Sequence, residues 1–148
     1  MDRTDYQILN ILQKDSRATL KSIGDQVGLT APAVSERARR MEEQGIIRGY
    51  HIDVDRERLN CNMTGFIYVA VEPEKYNDFC QFARNESAVV SHYHIIGVFN
   101  ALLRFVVQGT QELDSLLSKV KQYGDSQTSI ALKTYFDSKD IPLPNQSK

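Results

Sequence analysis

The stretch at residues 21–40, KSIGDQVGLTAPAVSERARR, constrains this chain more than any other. Leu20, Ile23 and Val27 repeat at i, i+3, i+7, the spacing of one buried helix face. Gly28 follows at the point where a left-handed residue stops a helix cheaply. Leu29 can plug the corner that results. Thr30 then offers a hydroxyl N-cap, with Pro32 in the first turn, where a missing N–H does no harm. A second stripe of Val34, Ala38 and Met41 marks the buried side of the next helix. Its outer side carries Pro32, Glu36, Arg39, Arg40 and Glu43, with Ala33 and Ser35 beside them. Two short helices set at an angle, the second with small residues leading and arginines behind, form a helix-turn-helix whose second helix suits the DNA major groove. The same charges would also serve as the solvated face of an ordinary helix hairpin.

The residues around this motif complete a small domain. Residues 2–14 read as a helix with Ile8, Leu9, Ile11 and Leu12 on its apolar face, and Asp2, Thr4 and Asp5 placed to cap it and complement its dipole. A polar break at 15–19 ends with Thr19, a cap for the following helix. Residues 46–54 are rich in β-branched side chains and predict a short strand or wing, with Arg48 and His51 able to approach phosphates. The expected organisation is a three-helix DNA-binding domain over 1–54, a charged, aperiodic linker over 55–62 and a second domain over 63–148.

That second domain alternates strand and helix patterns. Strands are predicted over 63–72, 88–97, 100–108 and 128–137. The helix opened by Pro73 buries Tyr76, Phe79, Cys80 and Ala83. The other, capped by Thr110 and ended by Gly124, buries Leu113, Leu116, Leu117, Val120 and Tyr123. The order βαββαβ is the ferredoxin-like arrangement, with both helices on one face of an antiparallel sheet. The expected class is therefore α+β: a winged helix-turn-helix domain followed by a ferredoxin-like one. Taking Ile67, Val69, Leu103, Phe105, Ile130 and Leu132 as helix-facing leaves Phe66, Tyr68, Val90, His92, Leu102, Arg104 and Tyr135 on the open side. Such an apolar face calls for a second subunit. The tail from Ser138, with Pro142 and Pro144, is expected to be loose or to wrap a neighbour.

These residues also match a family. DSR at 15–17, VGLT at 27–30, ER at 36–37, RRME at 39–42 and GIIRGY at 45–50 resemble the start of an Lrp/AsnC ("feast/famine") transcription regulator. The resemblance runs through the whole chain and is most specific over its first fifty or so residues. It implies a DNA-binding N-terminal domain joined to a ferredoxin-like ligand-sensing and oligomerising domain. It further implies dimers that join into tetramers or octameric rings, and in many members a response to an amino acid or a related small molecule. The turn Gly97, Val98, Phe99 and Asn100 lies where the family carries a Gly-x-aromatic-Asp sensing loop. Gly97 permits a sharp turn and the aromatic can wall a small pocket. Val98 and Asn100 stand where the family has acids, so the carboxylate that would meet an ammonium group is missing. A plain β-hairpin turn is the other reading.

Composition narrows the alternatives. With 18 Lys and Arg against 19 Asp and Glu, the chain has a formal net charge of −1, which does not advertise nucleic-acid binding. Arg37, Arg39, Arg40 and Arg48 nevertheless cluster in and just after the second helix, and local patches decide DNA contact. A homo-oligomer that adds its basic patches together is the expected form. Thr30, Pro32, Ala33, Ser35, Glu36, Arg37, Arg39, Arg40 and Arg48 are thus the expected contacts to double-stranded DNA. Cys61 and Cys80 are too few and too distant for a zinc motif, and both are expected reduced, in the cytoplasm. No signal peptide or membrane span is expected, no P-loop, nucleophile elbow or dinucleotide fingerprint is legible, and neither metal nor cofactor is expected. His92 and His94, at i, i+2, could serve a metal or proton transfer, but two inert, hydrogen-bonded imidazoles are the expected case. The principal reading is a sequence-specific, effector-responsive transcription regulator without enzymatic activity. The alternatives are a tetrapyrrole decarboxylase, since some proteins on this two-domain plan are such enzymes, and an architectural protein that wraps DNA.

Overall fold

A computed structural model describes residues 1–144, which fall into two compact units. One comprises residues 1–53 together with the tail from Phe136; the other comprises residues 54–135.

The first unit holds α1 (Arg3–Lys14), α2 (Leu20–Val27) and α3 (Ala31–Glu43). A reciprocal capping box starts α1. Asp5 N–H donates to Asp2 Oδ1 and Asp2 N–H donates to Asp5 Oδ2, each at 2.9 Å, so two orphan donors of the first turn are satisfied. Thr19 caps α2 by accepting from Ser22 N–H at 3.1 Å, and Gly28 ends it with φ 71°. Thr30 occupies the N-cap of α3, but its hydroxyl makes no capping bond there. Pro32 has already removed one of the donors such a cap would serve.

Ile8, Ile23, Val34 and Met41 are fully buried, with Leu9 beside them, so each helix contributes to one core. Burying a side chain of this size stabilises by about 1.5–3 kcal/mol. Leu20, expected in the α2 stripe, stays 41% exposed. The α2–α3 corner depends on Gly24, missed by the periodicity reading. A Cβ there would lie 2.4 Å from the Leu29 carbonyl oxygen.

Two expectations change in this unit. No strand forms over 46–54 among the described residues, because no neighbouring strand is there to complete a ladder. The described part of the tail, residues 138–144, docks on its own helical unit, and the last four residues of the expected tail lie outside the described residues. Ile141 N–H donates to Gln13 Oε1 at 2.8 Å, Gln13 Nε2 donates to the Ile141 carbonyl at 3.3 Å, and Leu143 packs on the helical core.

The second unit contains β1 (Met63–Val71), α4 (Tyr76–Asn85), β2 (Val89–His94), β3 (Ala101–Val107), α5 (Thr110–Val120) and β4 (Gly124–Ile130). The strands form one antiparallel sheet in the order β2-β3-β1-β4, the ferredoxin-like arrangement. Pro73 opens a 3-10 turn, Pro73–Lys75, rather than α4 itself. Gly109, not Thr110, holds the N-cap of α5, and Glu112 Oε2 accepts from Gln108 N–H at 2.8 Å. Ile67, Val69, Leu103 and Phe105 are fully buried against Phe79 of α4 and Leu116 and Val120 of α5.

β4 starts four residues earlier than expected and ends seven residues earlier. Its sequence, GDSQTSI, is polar because an edge strand with its outer side in water is held by the backbone ladder to β1. Register also revises the two faces. His92 pairs with Leu103 and His94 with Ala101, so both histidines stand on the helix side, and Tyr93 opposite Leu102 takes the open side. Ile130, opposite Gly65, sits on the helix side at 49% exposure, while Leu132 and Tyr135 lie beyond the strand. The open face therefore presents Phe66, Tyr68, Tyr93, Leu102 and Arg104. Val90 falls at a bulge between Val89 and Ser91.

Candidate nucleic-acid interface and effector loop

The outer surface of α3 begins with exposed Thr30, Pro32 and Ser35 and half-buried Ala33. Behind them Arg39, 56% exposed, donates from Nη2 to Glu36 Oε1 at 2.7 Å and from Nη1 to Glu43. Its hydrogen bond and charge hold the Glu36 carboxyl below its ordinary range, and Glu36 in turn raises the Arg39 guanidinium. An exposed i, i+3, i+4 cluster of this kind stabilises little by itself and leaves both groups in reach of a partner. Arg48 is exposed and has no side-chain partner among the described residues. The segment that carries it is tied to α3 by Tyr50, whose hydroxyl donates to Glu42 Oε1 at 2.8 Å. Burial, then that bond, push the Tyr50 phenol up to about 12.

The other two arginines turn toward α1. Arg37 Nη1 donates to Asp2 Oδ2 and to Asp5 Oδ1, both at 2.7 Å, and its side chain is only 26% exposed. Arg40 is 48% exposed and donates from Nη2 to both Asp5 oxygens at 3.2 Å. Burial pushes the Asp5 carboxyl up, but the Asp2 N–H and Arg37 outweigh it and the net direction is down. Of the four expected arginines, Arg39 and Arg48 thus face outward, Arg40 is half-exposed while anchored on Asp5, and Arg37 is engaged internally by Asp2 and Asp5.

The expected effector loop connects β2 to β3. Ile95 N–H donates to the Asn100 carbonyl at 3.1 Å, and Gly97 has φ 155°. Val98 is 89% exposed, whereas Phe99 packs against Tyr68 with ring centroids 5.9 Å apart. Asn100 is engaged by backbone. Its Oδ1 accepts from Val71 N–H at 2.8 Å and its Nδ2 donates to the Val71 carbonyl at 2.9 Å. The carboxamide imitates a peptide group and extends the β1–β3 ladder past the point where β3 begins.

The histidines occupy a different place. His92 meets the Phe79 ring edge-on at 5.3 Å, and His94 lies 5.1 Å from the Tyr76 ring. Burial, then His94, lower the His92 imidazole. His92 Nε2 and the Tyr76 hydroxyl are buried without a hydrogen-bond partner, so the expected hydrogen-bonded histidine pair does not form at that nitrogen. Among the described residues no group of three or more His, Cys, Asp and Glu side chains could hold a metal ion, and no helix is long and apolar enough to cross a membrane.

A three-helix unit with an outward-facing second motif helix, carried on the same chain as a ferredoxin-like sheet domain, defines a helix-turn-helix regulator with a separate sensing domain. Comparison with known proteins agrees in both halves. Residues 1–48 match the winged helix-turn-helix DNA-binding family, and residues 64–141 match the Lrp/AsnC ligand binding domain. The chain belongs to the Lrp/AsnC family of DNA-binding transcription regulators. It is 31% identical over 134 residues to the uncharacterized HTH-type transcriptional regulator YezC of Bacillus subtilis, covering 90% of this chain and 95% of that one. The crystal structure of an AsnC family transcriptional regulator from Agrobacterium tumefaciens superposes with a TM-score of 0.86 at 27% identity, covering 96% and 97%. The fold is shared too by the transcriptional regulator NMB0573 of Neisseria meningitidis, described as a complex with L-Met, with a TM-score of 0.88 at 24% identity, covering 96% of each chain.

Proposed function

We propose that this regulator reads DNA with the leading end of α3 and grips the backbone with the arginines behind it. Thr30, Pro32, Ala33, Ser35 and Glu36 meet base edges, while Arg39, Arg40 and Arg48 meet phosphates. The observation that carries this reading is the exposure of Thr30, Pro32, Ser35, Glu36, Arg39, Arg40 and Arg48 while Val34, Ala38 and Met41 hold the opposite side in the core. Arg40→Ala should weaken specific and random DNA alike and lower the salt slope by about one, as a lost phosphate contact requires. Ser35→Ala should change which sequence is preferred. A folded Arg40→Ala variant with unaltered salt dependence refutes the phosphate role.

The open sheet face, with Phe66 at 38% and Tyr93 at 55% exposure, is the surface through which two copies pair in this reading, and dimers then join into tetramers or octamers. Tyr68→Glu should break the dimer in light scattering, and high-affinity DNA binding with it, because two half-sites need two linked recognition helices. The turn Gly97, Val98, Phe99 and Asn100 is the proposed effector contact, completed where subunits meet. The Neisseria protein's L-Met points to amino acids as the class to screen. With Asn100 held by Val71 and no acid at Val98, weak response to ordinary amino acids is expected. The protein works on cytoplasmic DNA in this reading and catalyses no reaction. Calorimetry of the amino acids against the intact protein tests the sensing loop: tight binding abolished by Gly97→Val places the site there and refutes the expectation of weak response.

A further inference from the structure

The geometry points to Asp5 and Arg37 as positioning residues for DNA binding, which fix the seating of α3 on α1 and the aim of Arg40 without touching DNA. Asp5 is the one buried polar or charged side chain among the described residues, at 1% exposure. Every direction around its carboxylate is occupied: Asp2 N–H at 2.9 Å, Arg37 Nη1 at 2.7 Å, and Arg40 Nη2 at 3.2 Å from each oxygen. A buried charge is tolerated only while its partners stay in place. Arg37 and Arg40 lie one turn apart on α3 and converge on a single carboxylate of α1. Sliding or rotating α3 would strand that charge, so the pair sets one register for the recognition helix.

Arg40 is held differently from Arg37. Arg37 bridges Asp2 and Asp5 and is 26% exposed; Arg40 is anchored through Nη2 alone and is 48% exposed. A guanidinium has five N–H donors in a rigid fork, so one edge can stay on Asp5 while another meets a phosphate. Anchoring the side chain beforehand reduces the ordering cost of that contact. The inference rests on the reading that α3 faces DNA. It differs in assigning Arg37, which sequence alone places among the DNA contacts, to the scaffold that presents them.

The test uses the full-length protein and a duplex selected from a random pool by the wild type, with a random duplex beside it. Failure of the wild type to bind any duplex would refute the DNA-facing reading itself, a result separate from any difference between wild type and variants. Arg37→Gln should weaken the selected duplex about tenfold while leaving the salt slope and the random-duplex affinity as in wild type, since no phosphate contact is lost. A slope shallower by about one on both duplexes would give Arg37 a phosphate of its own and overturn the assignment. Asp5→Asn should weaken the selected duplex even though it removes a negative charge, and its loss combined with that of Arg40→Ala should be less than multiplicative. Unchanged or tighter binding by a folded Asp5→Asn variant overturns the proposal. Should that variant fail to fold, Arg37→Gln decides alone, because its partly exposed side chain can be shortened without opening the core.

Discussion

Asn100 is the residue where structure and sequence invite different experiments. Removing its carboxamide with Asn100→Ala strips both partners from the Val71 peptide groups, which sit on a residue only 3% exposed at the end of β1. An unsatisfied buried backbone group costs about 1–3 kcal/mol. Asn100 itself is half-buried, so water reaches part of the gap and a total of about 2–4 kcal/mol is expected. For a domain of this size each kcal/mol moves the midpoint by about 4–8 °C, which puts the second unit's thermal transition roughly 8–32 °C lower.

Asn100→Asp refines the test. One carboxylate oxygen can still accept from Val71 N–H, but the other then faces the Val71 carbonyl with no proton between them. That raises the new carboxyl in the folded state. A raised carboxyl contributes its stability fully below the unfolded value of about 3.9 and loses it as pH rises through the folded value. The deficit of Asn100→Asp relative to wild type should therefore be largest at neutral pH and shrink on acidification. Circular dichroism melts of both variants at several pH values measure this directly. Wild-type melting of Asn100→Ala would refute the backbone-rung argument and return the side chain to the effector loop.

Other consequences are equally direct. Gly24→Ala should destabilise the helical unit by about 1–3 kcal/mol in urea titrations despite alanine's better helix propensity, because its Cβ meets the Leu29 carbonyl at 2.4 Å; an unchanged midpoint would mean the corner can relax. Leu143→Ala should cost about 1 kcal/mol in the same unit, with Gln13→Ala adding a smaller loss, and a stop codon after Tyr135 should exceed both. Depression of the His92 imidazole means it folds neutral, so its contribution is complete above the unfolded value of about 6.5 and declines as pH falls below it. His92→Phe should flatten the fall in stability below about pH 6.5, read from denaturation midpoints across pH; a wild-type slope in that variant would assign the fall to other groups.

The chain's own sequence determined the three helices of the first unit, though not the absence of a strand over 46–54 or the docking of the tail. The stripes at Ile8, Ile23, Val34 and Met41, the Asp2 and Thr19 caps and the Gly28 stop are local signals, and each reads within a few residues of where it acts. The βαββαβ order was legible for the same reason, since strand and helix periods are set by neighbouring residues. What lay beyond reach depends on partners far along the chain. β4 is polar and pairs through its backbone, so no side-chain period announces it. His92 changed faces because the register of β2 against β3, with a bulge after Val89, decides which side each residue takes, and a slip by one inverts them all. Arg37 reads as one basic residue among several until Asp2 and Asp5, more than thirty positions away, are folded against it. Asn100 likewise matches a loop motif by position, while its hydrogen bonds to Val71 exist only once β1 and β3 lie side by side. Periodicity and caps are short-range properties written in the chain; which charge meets which carboxylate, and which face a strand turns inward, are settled only by tertiary packing.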